Sequence, residues 1–557
     1  MMKSFVIRVG GEAGKGIASA ADILAGVFLR LGYNVFSSKD YASQIKGGHN
    51  YHTLRISGGD VGADVSKVDV LLAFDESSLK RHLAVVKENG LIITDVEIDF
   101  GEIRKVRVKE IEEKLSQKNL DNALFLGIAV KSLGIEFTIL KEVLENYFSR
   151  KLELKEILIK AAEESYNNCE EWMNLEKLDG SNKEFLNGNE ALVKGALDAG
   201  LGFHVQYPMT PVSGMLHLLA KEAVDNSELI VVQPEDEIAA INIALGASFA
   251  GKRAMTATSG GGFALMVESL GLAGMAEIPL VVVEGQRPGP ATGLPTKTEQ
   301  GDLKFVLNSG GGDFPLVVLA PGDVDECYVE IRRAFYLAEK YFLPVVVLVD
   351  KQITESSKTV DFSKESFDFD GVVKIVEDVD LNEEGLFKRY AVESRTIPGV
   401  ENGMYTCAGD EHDEVGCITE DKEIRIRMMD RRMGKLRKVS EELVREEIFG
   451  DNEGLLVVGW GSTKGAIKEA VSRLQGEGCK IGFLQIKNMA PFLSLHIEEI
   501  IGKFSKVVLI ENNYSGQLGD VIREKTGVSI NDRLLKYDGS NFTVDEIYDY
   551  LRGKING

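Results

Sequence analysis

The sequence predicts an α/β protein with several domains, each built on a parallel sheet. Three observations carry the prediction. Short continuous apolar runs recur at Val70 to Phe74, Leu91 to Ile93, Leu280 to Val283, Leu316 to Leu319, Pro344 to Val349, Leu455 to Val458 and Val507 to Ile510. Runs of this length, apolar on both faces, are what strands covered by helices on both sides require. Helical spacing separates them, as in Ile17, Ala20, Ile23, Leu24, Val27, Phe28 and Leu31, whose apolar residues stand three and four apart. Finally, 557 residues exceed what one ordinary core holds, so two to four domains are expected.

Composition excludes several classes of function. Hydrophobic residues make up 44% and charged residues 27%, the balance of a globular chain in water. With 64 basic against 87 acidic residues the net charge is −23, which disfavours nucleic acid and anionic membranes as partners. No apolar run approaches the roughly 20 residues of a membrane span. The start, Phe5 to Gly11, reads as a strand entering a turn and not as a secretory signal, so a cytoplasmic protein is expected. Cys169, Cys327, Cys407, Cys417 and Cys479 are scattered without a C-x-x-C pair. That spacing argues against a zinc site or an iron–sulfur cluster held by this chain alone, and no metal ligand is assigned.

Three α/β units are expected. Residues 1–180 form the first, closed by the polar linker Leu178 to Lys183; residues 186–357 form the second; residues 358–452 read as an irregular, charged connection; residues 453–557 form the third and smallest.

In the first unit, Gly10-Gly11-Glu12-Ala13-Gly14-Lys15-Gly16 lies between a strand and a helix, where glycines permit a tight turn that turns N–H groups toward an anion. It is not a P-loop, because Lys15 precedes a glycine and the spacing is too short. A plain β–α turn explains it equally well. Lys46, in Lys46-Gly47-Gly48-His49-Asn50, stands on a loop able to approach another surface closely; an ordinary exposed lysine is the alternative.

The second unit carries most of the chemistry. Tyr207-Pro208-Met209-Thr210-Pro211 fixes the backbone on both sides of Thr210, which suits either a hydroxyl aimed at a ligand or a stiff turn with Thr210 capping a helix. Glu235-Asp236-Glu237-Ile238-Ala239-Ala240 sets carboxylates between a strand and a helix of small residues, ahead of the loop Thr256 to Gly262. A buried carboxylate there suits an enzyme that must exchange a proton with a heterocyclic nitrogen; a solvated helix N-terminus suits acids equally. The loop from Glu284 to Thr296 holds one cation, Arg287, among prolines and small residues, an arrangement fitted to bidentate carboxylate recognition.

Taken in order, these motifs resemble the 2-oxoacid:ferredoxin oxidoreductases, a thiamine diphosphate family, over nearly the whole chain. Y-P-M-T-P from Tyr207, E-D-E-I-A-A from Glu235, T-A-T-S-G-G-G-F from Thr256 and G-L-P-T-K-T-E-Q from Gly293 resemble the α subunit of the fused γ–α type. G-E-A-G-K-G and K-G-G-H-N resemble its γ-like portion, while G-D-E-H-D-E at Gly409 and Glu511 to Leu518 resemble its later parts. Two positions depart: Lys15 stands where a glutamine is expected, and Gly311 where relatives often carry histidine.

The resemblance implies a γ-like domain, a pyrimidine-side thiamine domain and a transketolase C-terminal-like domain. It implies that Glu237 hydrogen-bonds the aminopyrimidine of thiamine diphosphate and that Tyr207 and Pro208 line that cofactor. It further implies that Thr210, Arg287 and Thr292 meet the substrate, with Lys46 reaching in to help close the site. The chain lacks the G-D-G…N loop that binds diphosphate and Mg²⁺, so it would hold half an active site. A β subunit would supply that loop and a [4Fe–4S] cluster, in an αβ heterodimer or a dimer of heterodimers. The implied reaction is CoA-dependent oxidative decarboxylation of a 2-oxoacid, with electrons passed to ferredoxin. The fused architecture points to 2-oxoglutarate, with pyruvate and branched-chain 2-oxoacids as alternatives. Another thiamine enzyme, such as a transketolase, or a nucleotide-binding scaffold subunit are the rival readings.

Overall fold

Each of the seven apolar runs coincides with a strand, with only Phe74 and Leu316 falling one residue outside, because the runs are buried between helices. The computed structural model describes residues 4–43, 48–98, 102–115, 117–178, 183–362, 367–369, 371–372, 375–376, 379, 381 and 385–556. The chain divides into two compact units. One comprises residues 1–186 with 356–361 and 543–546; the other comprises 187–355, 362–542 and 547–557.

The first unit is built on an eight-stranded sheet. Its order is Glu102–Lys105, Val86–Thr94, Val68–Ala73, Phe5–Glu12, His49–Ser57, Asn34–Asp40, Ser357–Val360 and Glu184–Asn187. The first four strands run parallel. Phe5–Glu12, His49–Ser57 and Asn34–Asp40 pair antiparallel, so half of this sheet departs from the parallel arrangement expected. The reason is the short connection between Asp40 and His49, which cannot hold a crossover helix of a dozen residues. Helix Ile17–Arg30 buries the residues that its spacing marked, from Ile17 and Ala20 to Val27 and Phe28.

The second unit holds two sheets. The larger has the order Asn488–Ala490, Val317–Leu319, Pro344–Asp350, Leu280–Gln286, Ala254–Thr258, Phe203–Val205 and Ile230–Val232, parallel except at its Asn488–Ala490 edge. The smaller runs Ile448–Gly450, Ile481–Gln485, Leu455–Gly459, Lys506–Glu511 and Asp532–Leu535, antiparallel only at its Ile448–Gly450 edge. One apolar core joins them, with Phe263, Leu303 and Val282 from the larger sheet's layer packed in the same cluster as Trp460, Leu484 and Leu518.

The stretch expected to be irregular, 358–452, contains the helix Lys422–Glu442, 21 residues long. Its sequence hides the helical period because the buried stripe is Met428, Arg432, Lys435 and Val439, half of it cationic. Those cations are held by carboxylates. Lys435 meets Glu277 at 2.7 Å and Arg432 binds Glu411 at 3.0 Å and 2.7 Å, while the partly exposed Arg431 beside them grips Glu277 at 2.9 Å and 3.1 Å. No helix among the described residues is long and apolar enough to cross a membrane.

Candidate active site

In open parallel sheets, ligands gather at the carboxyl ends of the strands, where loops diverge. The three motif loops of the second unit all leave that edge of the larger sheet: Gln206 to Pro211 after Phe203–Val205, Gln233 to Glu237 after Ile230–Val232, and Ser259 to Gly262 after Ala254–Thr258. The Arg287 loop follows Leu280–Gln286 at the same edge.

Asp236 is the cap of helix Glu237–Phe249, accepting from the Ala239 N–H at 2.8 Å. This leaves Glu237 as the first helical residue, buried to 5% exposure, while Glu235 is exposed. The carboxylate of Glu237 packs on Gly262, where an added Cβ would stand 2.6 Å from Glu237 Cγ and 2.1 Å from Thr258 Oγ1. Only glycine fits there. Among the described residues no group donates a hydrogen bond to this carboxylate, and nearby the hydroxyls of Thr256 and Ser259 are fully buried without partners. Buried polar atoms of that kind mark a place where something else completes the bonding.

Arg287, half-buried, donates from Nη1 to the Thr210 carbonyl oxygen at 3.1 Å. The contact follows from close backbone packing: a Cβ on Gly285 would stand 2.6 Å from Val212 Cγ1 and 3.1 Å from Pro211 Cδ. Thr210 does not cap the next helix, Ser213–Glu222, whose cap position is Val212. Burial draws the Arg287 guanidinium below its ordinary range, and the nearby Asp302 carboxylate opposes that shift.

Residues not singled out in the sequence sit directly beneath this edge. Glu284 follows the apolar run Leu280 to Val283 and is fully buried, with no N–H or hydroxyl donor to either carboxylate oxygen. Asp302 faces it, and Asp350 lies near on the adjacent strand. Gln300 ties the loop to the smaller sheet, exchanging bonds with Asn512 at 2.7 Å and 2.8 Å and donating to the Trp460 carbonyl at 2.8 Å. An acid at the end of a fully apolar strand was the sequence signal for Glu284; nothing marked Asp302, whose partner lies 18 residues away along the chain.

The α subunit of a 2-oxoacid:ferredoxin oxidoreductase from Sulfolobus sp is 32% identical to this chain over 98% of it and 96% of the relative. The chain belongs to the 2-oxoacid:ferredoxin oxidoreductase family. The family's "pyruvate flavodoxin/ferredoxin oxidoreductase, thiamine diP-bdg" model matches residues 194–431 of this oxidoreductase chain. The models "pyruvate ferredoxin/flavodoxin oxidoreductase" and "pyruvate:ferredoxin oxidoreductase core domain II" match residues 6–168 and 454–547. The 2-oxoglutarate oxidoreductase subunit KorA of Mycobacterium tuberculosis is 28% identical over the whole chain and 92% of that relative. A solved structure superposes over the full length of both chains with a TM-score of 0.89 at 29% identity. It is the 2-oxoglutarate:ferredoxin oxidoreductase from Magnetococcus marinus, with 2-oxoglutarate, coenzyme A and succinyl-CoA bound.

The pyrimidine side of thiamine diphosphate fits the oxidoreductase's residues. A buried carboxyl group with no protein donor suits a ring nitrogen with which it can share a proton, and Gly261, next to the Gly262 that touches it, faces open space. Tyr207 and Pro208 lie on the rigid turn at the same strand edge, Tyr207 with 36% of its surface exposed. Thr292 is exposed on the Arg287 loop and makes no hydrogen bond among the described residues. Lys46 lies outside the described residues. In the first unit, Lys15 donates to the Phe74 carbonyl at 3.2 Å and pairs loosely with Asp75, which occupies the one cation of the glycine turn.

Proposed function

We propose that this α subunit catalyses, with a β subunit, the CoA-dependent oxidative decarboxylation of 2-oxoglutarate to succinyl-CoA and CO2, passing the electron pair to ferredoxin. The observation that carries the reading is the pairing, at one strand edge, of a buried donor-free Glu237 with Arg287 held on the Thr210 carbonyl. The M. marinus neighbour, named for 2-oxoglutarate and superposing over its whole length, supports the choice of substrate.

Thiamine diphosphate, when bound, supplies the nucleophilic carbon and the electron sink for decarboxylation. The chain's own residues do the rest. Glu237 holds and exchanges the proton on the pyrimidine nitrogen; Tyr207 and Pro208 wall that ring. Arg287 presents its free N–H groups to the substrate carboxylate, with Thr210 and Thr292 set to contact the oxo end.

The outer faces of two helices support a partner chain. Helices Glu237–Phe249 and Gly260–Met275 are apolar nearly all round, and Ile238, Ile243 and Leu265 remain 49%, 37% and 50% exposed. A helix apolar on every side belongs inside a larger body. A β subunit seated there would bring the diphosphate–Mg²⁺ loop and a [4Fe–4S] cluster to Glu237, giving an αβ heterodimer or a dimer of heterodimers.

The test reconstitutes the chain with its β partner, Mg²⁺ and thiamine diphosphate, and follows CoA-dependent viologen reduction. 2-Oxoglutarate, pyruvate and 2-oxoisovalerate are compared, with Glu237→Gln as control. Turnover confined to 2-oxoglutarate and lost in the control is expected. Turnover of pyruvate or 2-oxoisovalerate instead reassigns the substrate, and none with any acid overturns the reaction.

A further inference from the structure

Beneath Arg287 lies an acid pair for which the reaction above gives no use. Glu284 stands on the same face of its strand as Leu280 and Val282, inside the apolar core, with no exposed surface and no N–H or hydroxyl donor to either oxygen; the polar group in hydrogen-bond contact with it is the Asp302 carboxyl. The charged groups that act on it are carboxylates: Asp302 from the loop before helix Leu303–Leu307 and, more weakly, Asp350 from the adjacent strand. Asp302 has a different outlook. It is in hydrogen-bond contact with Glu284 and lies in the field of the Arg287 guanidinium, with no direct ion pair to it among the described residues and with the half-buried Glu299 nearby. The Asp302 backbone N–H is fixed by Gln286 Oε1 at 3.0 Å, and a Cβ on Gly260 would stand 2.5 Å from Asp302 Oδ2.

Gly260 and Gly262 lie two residues apart on one helix and therefore face nearly opposite directions. Gly262 touches Glu237 and Gly260 touches Asp302. The glycine-rich start of this helix is thus held between the carboxylate assigned to the cofactor and the carboxylate beside the substrate arginine.

Two facing carboxylates in a low-dielectric site cannot both ionise, so one proton stays with the pair. We propose that Glu284 and Asp302 share one proton, leaving a single negative charge aimed at Arg287, and that Glu284 is thereby a positioning residue for recognition of the 2-oxoacid carboxylate. Glu284 gains from Asp302 the acceptor that its burial demands. Asp302 gains a fixed direction, and with the Thr210 carbonyl it leaves the far N–H groups of Arg287 turned to the substrate. Burial and the neighbouring carboxylate push the Glu284 carboxyl well above the ordinary range, while Arg287 favours the charge on Asp302. Loss of the shared proton at high pH adds a second negative charge against Arg287, which then competes with the substrate for the same guanidinium.

The inference rests on the reading of Arg287 as the substrate cation, and the experiment separates the two. In the reconstituted αβ complex, infrared difference spectra across pH would be compared with the KM for the 2-oxoacid. A protonated-carboxyl band that vanishes as pH rises is expected, absent from E284Q, with KM rising about tenfold over the same interval. In E284Q the neutral amide cannot ionise, so the alkaline rise in KM disappears, whereas E284A raises KM at every pH. Persistence of the alkaline rise in E284Q, or of the band, overturns the proposal. Without any variant, separate midpoints for band and KM in the unaltered complex overturn it as well. A band present in a complex that turns over no 2-oxoacid overturns the substrate reading of Arg287, and the positioning role with it; an absent band overturns the acid pair alone.

Discussion

Arg287 donates to the carbonyl oxygen of Thr210 across 3.1 Å, joining two loops that are 77 residues apart in sequence. The bond uses one corner of a planar fork and leaves the others for a ligand. Arg287→Lys keeps the charge but cannot serve both partners at once. The KM for the 2-oxoacid should rise about 10- to 100-fold with a smaller fall in kcat and little change in Tm, measured by steady-state kinetics and thermal unfolding. An unaltered KM would remove Arg287 from substrate recognition.

Gly262 and Gly271 lie on one helix and answer differently to the same change. An added methyl at Gly262 meets Thr258 Oγ1 at 2.1 Å and Glu237 Oε1 at 2.8 Å, whereas at Gly271 nothing lies within 4 Å. Gly262→Ala should displace Glu237, cost about 1–3 kcal/mol of stability and abolish most activity. Gly271→Ala should stabilise the chain by about 0.5–1 kcal/mol through the unfolded state. Denaturant titrations of both variants, with activity, check the pair.

Glu277 holds the long charged helix to the larger sheet's layer. It is buried and accepts from Arg431 and Lys435, with the Arg389 guanidinium 4.0 Å away. Glu277→Ala leaves those cations without their counter-charge and should destabilise by about 3–5 kcal/mol. The KM for substrate should be little changed in whatever fraction stays folded, since Glu277 belongs to none of the strand-edge loops. A variant as stable as the parent chain would show that the cations find water or other acceptors.

Glu411 gives a pH dependence of known sign. Burial alone would raise its carboxyl, but the Arg432 and Arg425 guanidiniums overcome this and hold it down to about 2, against an ordinary value of 4.5. A carboxylate lowered on folding adds stability that is complete above the unfolded value and is lost as pH falls toward the folded one. Unfolding midpoints should therefore fall between pH 4.5 and about 2, and Glu411→Gln should flatten that part of the slope. Equal slopes in both proteins would show that Glu411 contributes nothing there.

By itself the sequence determined the strands, the family and the segments that meet at the strand edge. Strands buried on both faces leave unbroken apolar runs, and loops stiffened by proline or opened by glycine leave motifs that survive as short strings. The family resemblance chose Glu237 over Glu235, and the structure adds the physical reason for their difference: the capping Asp236 between them makes Glu237 the first residue of the helix. Other features depended on partners distant in the chain. The helix Lys422–Glu442 buries cations against Glu277 and Glu411, so its period could not be read from apolar residues. The antiparallel half of the first sheet came from strand pairing, which no residue pattern announced. The acid pair of Glu284 and Asp302 exists only because a strand end and a later loop converge beneath Arg287. Hydrophobic pattern is a local property and is written along the chain, whereas the energy of a buried charge is set by what tertiary contact places beside it.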